Sequence, residues 1–112
     1  MSWEITVVGL EETLDARSAP QVKERFQQVL DRPGPVVLDL RASTLDSTGL
    51  GSVLSLQRRL ELQERRLVVV SDDPYFHRLL QVTGVNSAIC VRRTVEEAIQ
   101  EARRLRMAPA AA

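Results

Sequence analysis

The side chains best placed to take part in chemistry are two hydroxyls that directly follow an aspartate. They lie between an apolar run and a segment whose apolar residues recur at helical spacing. The segment reads Asp46-Ser47-Thr48-Gly49-Leu50-Gly51. Its position predicts the start of a helix, where backbone N–H groups lack partners and the positive end of the helix dipole lies. A hydroxyl side chain there can cap the helix. The same amides also favour a phosphate group, so a phosphorylation site is the second interpretation.

The spacing within this segment argues against three known loop chemistries. An aspartic-protease loop needs Asp, Ser or Thr, and Gly in direct succession, but two hydroxyl residues separate Asp46 from Gly49, and no second loop is present to share a proton. A dinucleotide-binding loop would need a small residue where the chain has Leu54. The Gly-Lys-Ser/Thr sequence of a Walker loop is absent. The segment therefore predicts neither nucleotide binding nor proteolysis.

Other titratable residues give little support for an enzyme. Nucleophilic hydrolysis needs a base beside the hydroxyl, and the single histidine, His77, is expected at the surface of an amphipathic helix. Asp39 ends an apolar run, as does the phospho-acceptor of receiver domains. However, the one lysine, Lys23, is not at a later strand end, and the acids Glu11 and Glu12 come too late after the first strand. We predict that the chain is not an enzyme and binds no cofactor.

Composition and charge are those of one soluble domain. The chain has 112 residues, of which 44% are apolar, and its 15 acidic and 15 basic side chains give a net charge of zero. A protein without net charge has no overall positive electrostatic potential to attract nucleic acid or an anionic membrane, so neither is an expected partner. One cysteine, Cys90, and one histidine exclude an intrachain disulfide and a Cys/His metal cluster. Without an apolar run of membrane-spanning length or a signal peptide, we expect a cytoplasmic protein without membrane insertion.

The elements that must position the hydroxyls alternate between strand-like and helix-like segments. Strands are predicted at 3–9, 36–40, 67–71 and 87–91, with 11–15 as a hairpin partner of the first, and helices at 19–30, 49–66, 74–83 and 94–107. Such alternation predicts an α/β domain, here a mixed sheet of four to five strands with about four helices packed against it. The domain is expected over 1–106, followed by a flexible tail over 107–112.

An apolar strand "VVLDL", a short loop and "LDSTGLGSVL" opening a helix together resemble the STAS domain, and within it the bacterial anti-sigma factor antagonists. The resemblance extends over about residues 3 to 105. "TLDARSAPQVKERF" is similar to the acid-bearing turn into the family's first helix, and "VVVSDDPYFHRLLQVTGV" is similar to its fourth strand and third helix. One departure is the turn "QERRL" after the second helix, which lacks the usual glycine.

The resemblance implies a binding protein that is switched by phosphorylation. Such antagonists bind an anti-sigma factor that is usually a serine kinase, and so release a sigma factor; the kinase phosphorylates the serine after the motif aspartate, here Ser47, and a PP2C-type phosphatase reverses this. The implied partner-binding residues are Asp15, Asp46, Ser47, Thr48, Gly49, Leu50 and Gly51. The family also contains constitutive interaction subunits of stressosomes and transporter complexes, which is the alternative function.

Overall fold

Four strands and four helices alternate in a computed structural model that describes residues 4–85 and 88–107. They are β1 (Thr6–Gly9), α1 (Ala19–Leu30), β2 (Val36–Asp39), α2 (Ser47–Leu62), β3 (Leu67–Val70), α3 (Pro74–Thr83), β4 (Cys90–Arg92) and α4 (Val95–Met107). The predicted α/β class with four helices is confirmed. Residue 3 of the first predicted strand, residue 87 of the last predicted strand and residues 108–112 of the predicted tail lie outside the described residues.

The sheet has the order β1-β2-β3-β4, and all three pairings are parallel. The expected mixed sheet is therefore corrected to a parallel one in the described part of the chain. The reason is that the hairpin strand predicted over 11–15 does not form: its only ladder contact is a single parallel bridge from Leu14 to Leu45. Residues 11–15 instead cross from β1 towards α1 along the loop that precedes α2.

Two hydrophobic layers enclose the sheet. Right-handed crossovers between successive parallel strands place their helices on the same face, and α1, α2 and α3 share one core with alternate side chains of the strands. α4 follows the last strand and packs on the opposite face, where Ala98 and Ala102 let its backbone approach β2 and β3 closely. Both central strands are fully covered, which explains their continuous apolar sequence.

The turn after α2 explains the departure from the family pattern. Glu64 has a φ of +58°, the left-handed conformation that glycine adopts most easily. The next residue, Arg65, is only 8% exposed. Its guanidinium donates to the carbonyls of Val29 (3.2 Å), Leu30 (3.3 Å) and Gly34 (2.8 Å), and so satisfies the carboxyl-terminal end of α1. Burial lowers the pKa of Arg65, although an arginine remains protonated at neutral pH.

We expect Glu64→Gly to raise the free energy of unfolding by about 0.5–1 kcal/mol, because a side chain in the left-handed region costs about 1–2 kcal/mol, and the greater backbone freedom of glycine returns part of this. Urea denaturation measures the change. Glu61→Gly is the matched control, since it removes another exposed carboxylate, from the last turn of α2, where glycine has no conformational advantage and should cost up to about 1 kcal/mol. Equal losses in the two variants would contradict the account of this turn.

The parallel arrangement brings the loops that follow the strands to one edge of the sheet, which we call the carboxyl edge. It consists of residues 10–18, 40–46, 71–73 and 93–94. The hydroxyls singled out in the sequence lie at this edge, because α2 begins directly after the second of these loops. No helix in the described ranges, 4–85 and 88–107, is long and apolar enough to cross a membrane.

Candidate functional site

The cap of α2 is Asp46, one residue before the hydroxyls that the sequence suggested. Asp46 has extended backbone geometry, and its Oδ1 accepts a hydrogen bond from the Gly49 N–H at 3.0 Å. Its own carbonyl accepts the Leu50 N–H at 2.9 Å. The Leu50 bond is the first intrahelical bond of α2, and the aspartate side chain satisfies one of the four amides that have no intrahelical partner.

Ser47 and Thr48 are the first two residues of α2, and both are exposed. Among the described residues, neither hydroxyl and neither backbone N–H of this pair has a hydrogen-bond partner. The side chains are thus not needed to hold the helix end. What they present to solvent is a nucleophilic hydroxyl beside two open amides and the positive end of the helix dipole, an arrangement that accommodates a phosphoryl group.

The loop before Ser47 is held in place by the loop that follows β1. Leu14 N–H donates to the Thr44 carbonyl at 2.7 Å, and the Asp46 N–H donates to the Leu14 carbonyl at 3.3 Å. The Ser43 hydroxyl donates to the Leu10 carbonyl at 2.5 Å. These bonds fix the backbone on which the exposed hydroxyls stand, so the site is preorganised by two loops of the carboxyl edge.

The two glycines of the segment differ in their surroundings. A Cβ on Gly49 would lie 2.7 Å from the Leu14 Cβ and 2.9 Å from its carbonyl carbon, and closer still to its carbonyl oxygen. Gly49 is therefore the residue that lets the two loops touch. Gly51 is exposed and a Cβ there would meet nothing within 4 Å, so it keeps the surface one turn after Ser47 flat. Leu50 is buried in the main core and holds the first turn of α2 against the sheet side of the domain.

Asp15 lies in the turn that leads into α1. Its Oδ1 accepts the N–H groups of Arg17 (2.9 Å) and Ser18 (3.1 Å), while the Ser18 hydroxyl accepts the Asp15 N–H at 3.2 Å. The carboxylate therefore organises the turn before α1. Because Leu14, the preceding residue, is bonded to the loop of Ser47, the Asp15 turn adjoins the same part of the carboxyl edge.

An open cleft of about 340 Å³ lies on the carboxyl edge between β1, β2 and α1, with Glu11, Glu12, Arg25 and Asp39 among its walls. The Asp39 carboxylate is paired with the Arg41 guanidinium at 2.9 Å, and the hydrogen bonds of Arg41 lower the pKa of Asp39. Within the described residues, no group of His, Cys, Asp and Glu side chains could hold a metal ion. Arg25 and Glu12 on its walls form an ion pair at 3.7 Å, and neither Ser47 nor Thr48 is among the residues that line the cleft.

Replacing Asp46 tests the observed cap. We expect Asp46→Ala to lower the free energy of unfolding by about 1 kcal/mol, since the Gly49 N–H loses its acceptor. Asp46→Asn is the matched control, because an asparagine caps equally well and should leave stability nearly unchanged. The comparison is made by urea denaturation, and equal losses in both variants would show that the carboxylate charge, and not the cap, provides the stability.

Comparisons with known proteins agree with the fold and show the family. The family model of the STAS domain matches residues 3–98, and the chain therefore belongs to the STAS domain family. The anti-sigma-B factor antagonist of Listeria monocytogenes is 31% identical over 86 residues, which are 75% of this chain and 75% of that protein.

Two solved structures show the same fold. An anti-sigma factor antagonist from Mycobacterium paratuberculosis has a TM-score of 0.80 and 27% identity, covering 88% of this chain and 86% of that chain. The Bacillus cell fate determinant SpoIIAA in its phosphorylated form has a TM-score of 0.66 and 23% identity, covering 89% and 92%. The chain is thus a STAS domain with homology to anti-sigma factor antagonists.

Sequence reasoning missed two features of the carboxyl edge. One is the contact between Gly49 and Leu14, which depends on a loop that is distant along the chain and leaves no local signal. The other is Tyr75, an exposed aromatic residue in the first turn of α3. The sequence does contain a signal for Tyr75. A helix that begins after a buried parallel strand must start at the carboxyl edge, so an aromatic residue in its first turn is expected there.

Proposed function

We propose that this chain is an anti-sigma factor antagonist that acts in the cytoplasm. In this proposal it binds an anti-sigma factor that is also a serine kinase, and the binding frees a sigma factor. Phosphorylation of Ser47 by that kinase ends the binding, and a PP2C-type phosphatase restores it. The chain is substrate and binding partner, and it carries out no chemistry of its own.

The observation that carries this proposal is the state of Ser47. Its hydroxyl is exposed, has no hydrogen-bond partner among the described residues, and directly follows the capping residue Asp46. A serine that the fold does not use is free to enter the active site of a kinase. The identity to the Listeria antagonist and the fold shared with a protein that has been solved in a phosphorylated form support the same function.

A phosphoryl group on Ser47 would change the surface without unfolding the helix. It adds about −1.5 to −2 charges at neutral pH. The open amides of Ser47 and Thr48 and the helix dipole stabilise this charge locally. In a complex, however, the phosphoryl group would be covered by the partner and would lose its hydrating water. Both this desolvation and repulsion by the adjacent Asp46 carboxylate would weaken binding. The physical basis of the switch is thus loss of binding with retention of fold.

Phosphorylation mapping tests the assignment of the acceptor. The protein is incubated with ATP and the purified serine-kinase anti-sigma factor of the same organism, and the modified residue is identified by mass spectrometry. We expect one phosphate on Ser47, none on Ser47→Ala, and full incorporation into Thr48→Ala, the adjacent exposed hydroxyl. Phosphate on Ser47→Ala would show that the acceptor is another residue. A stable complex with the kinase and no phosphate at all would support the constitutive subunit instead.

A further inference from the structure

Tyr75 is the only aromatic side chain that is exposed among the described residues. Its exposed fraction is 58%, whereas the neighbouring Phe76 and the distant Phe26 are buried in the core. Tyrosine is enriched at protein–protein interfaces and among the residues that dominate their binding energies.

The fold does not require this ring. The backbone N–H of Tyr75 donates to Asp73 Oδ1 at 2.9 Å, a cap that any residue at position 75 except proline could complete. The phenol hydroxyl has no hydrogen-bond partner in the described part of the chain. The apolar side of α3 is supplied by Phe76 and Leu80. A small polar residue would serve the helix equally well at this position.

The ring lies next to the loop that carries Ser47. Tyr75 lines a narrow crevice at the carboxyl edge together with Ser43 and Leu45 of that loop, and Asp73 lies on the same wall. Ser43 and Leu45 precede Ser47 by four and two residues, so Tyr75 adjoins the loop that leads into α2. A partner that covers both this loop and the start of α2 would enclose the ring of Tyr75 within its contact.

We propose that Tyr75 is a specificity-determining anchor of the partner contact, and that its ring enters an apolar pocket of the anti-sigma factor. This inference rests on the proposed function. Asp73 beside the ring predicts a cationic or polar rim around that pocket, since opposite charges at the border of an interface favour the correct partner. The contact would then have two parts with different roles. Phosphorylation would control the flat surface around Ser47, and the ring of Tyr75 would select the correct partner.

Nitration gives a direct readout, because Tyr75 is the single tyrosine of the chain. The protein is treated with tetranitromethane alone and in complex with the purified anti-sigma factor, and nitrotyrosine is followed at Tyr75. We expect the complex to slow nitration at least roughly tenfold, since interface anchors lie in fully desolvated pockets. Protein phosphorylated on Ser47 should nitrate at the free rate in the same mixture. A ring that nitrates equally fast in the complex overturns the proposal.

Variants of Tyr75 test how much the ring contributes to the affinity for the anti-sigma factor. Tyr75→Ala should weaken binding to the anti-sigma factor roughly 30-fold, the effect of an interface hot spot, whereas Tyr75→Phe keeps the ring and should lose only a few-fold. Val82→Ala is the control, since Val82 lies on the same helix with an exposed fraction of 78% and should bind as wild type. If wild type binds and Tyr75→Ala binds equally well, the anchor is wrong while the proposed function stands. If wild type does not bind, the proposed function fails.

Discussion

Replacing Gly49 by alanine is expected to lower the free energy of unfolding by about 3 kcal/mol, a large effect for one methyl group. The new Cβ would lie 2.7 Å from the Leu14 Cβ and would press on the Leu14 carbonyl oxygen. That carbonyl accepts the Asp46 N–H, so it can move only if the bond between the two loops breaks. The preorganised backbone under Ser47 would be lost together with stability.

Gly51→Ala is the matched control for this prediction. A Cβ at Gly51 meets nothing within 4 Å, and the residue lies inside α2, where alanine is favoured over glycine by about 0.5–1 kcal/mol. The two glycine variants should therefore change the urea midpoint in opposite directions. A Gly49→Ala protein as stable as Gly51→Ala would contradict the close approach of the two loops.

Replacing Arg65 by methionine is expected to cost about 3 kcal/mol of unfolding free energy. Methionine keeps the apolar stem but removes the only side-chain donor to the carbonyls of Leu30 and Gly34. The Val29 carbonyl also loses a donor but keeps the Arg32 N–H at 3.1 Å. Unsatisfied buried polar groups each cost about 1–3 kcal/mol, less where water can enter. Arg65→Lys should recover part of the loss, because an ammonium group restores the charge but not the planar set of donors.

Arg66→Met is the matched control for the arginine. Arg66 is exposed, and its side chain makes no hydrogen bond within the described residues, so we expect a change within about 0.5 kcal/mol. Denaturant unfolding of the three variants under the same conditions measures the differences. Equal losses for Arg65→Met and Arg66→Met would show that the guanidinium of Arg65 does not hold the end of α1.

The fold was predictable where local pattern and burial act together. The continuous apolar runs of β2 and β3 indicate strands that are covered on both faces, and the structure confirms them. The strand predicted over 11–15 does not form, because Leu14 is used in a single bridge to Leu45, a contact that no local pattern announces. The same contact explains why Gly49 must be glycine.

At the candidate site, sequence reasoning placed the helix start at Gly49, two residues after its observed start at Ser47, and assigned the cap to the wrong side chain. Asp46 and the hydroxyls after it are all favourable capping residues, and only backbone geometry distinguishes them. Ser47 is exposed at the first residue of α2, as expected for a serine that must be accessible to a kinase. The glycine missing after α2 was recognised as a departure, and the structure gives its consequence, a left-handed Glu64.

The most direct test of the account is the affinity for the purified serine-kinase anti-sigma factor, measured by calorimetry with Ser47→Ala, Ser47→Asp and Thr48→Asp. The account predicts binding of Ser47→Ala near wild type, and a loss of at least roughly tenfold for Ser47→Asp, since one desolvated like charge costs more than about 1.4 kcal/mol. Thr48→Asp, with the same charge one residue later, should lose less. Equal affinities of Ser47→Ala and Ser47→Asp would contradict a switch at Ser47.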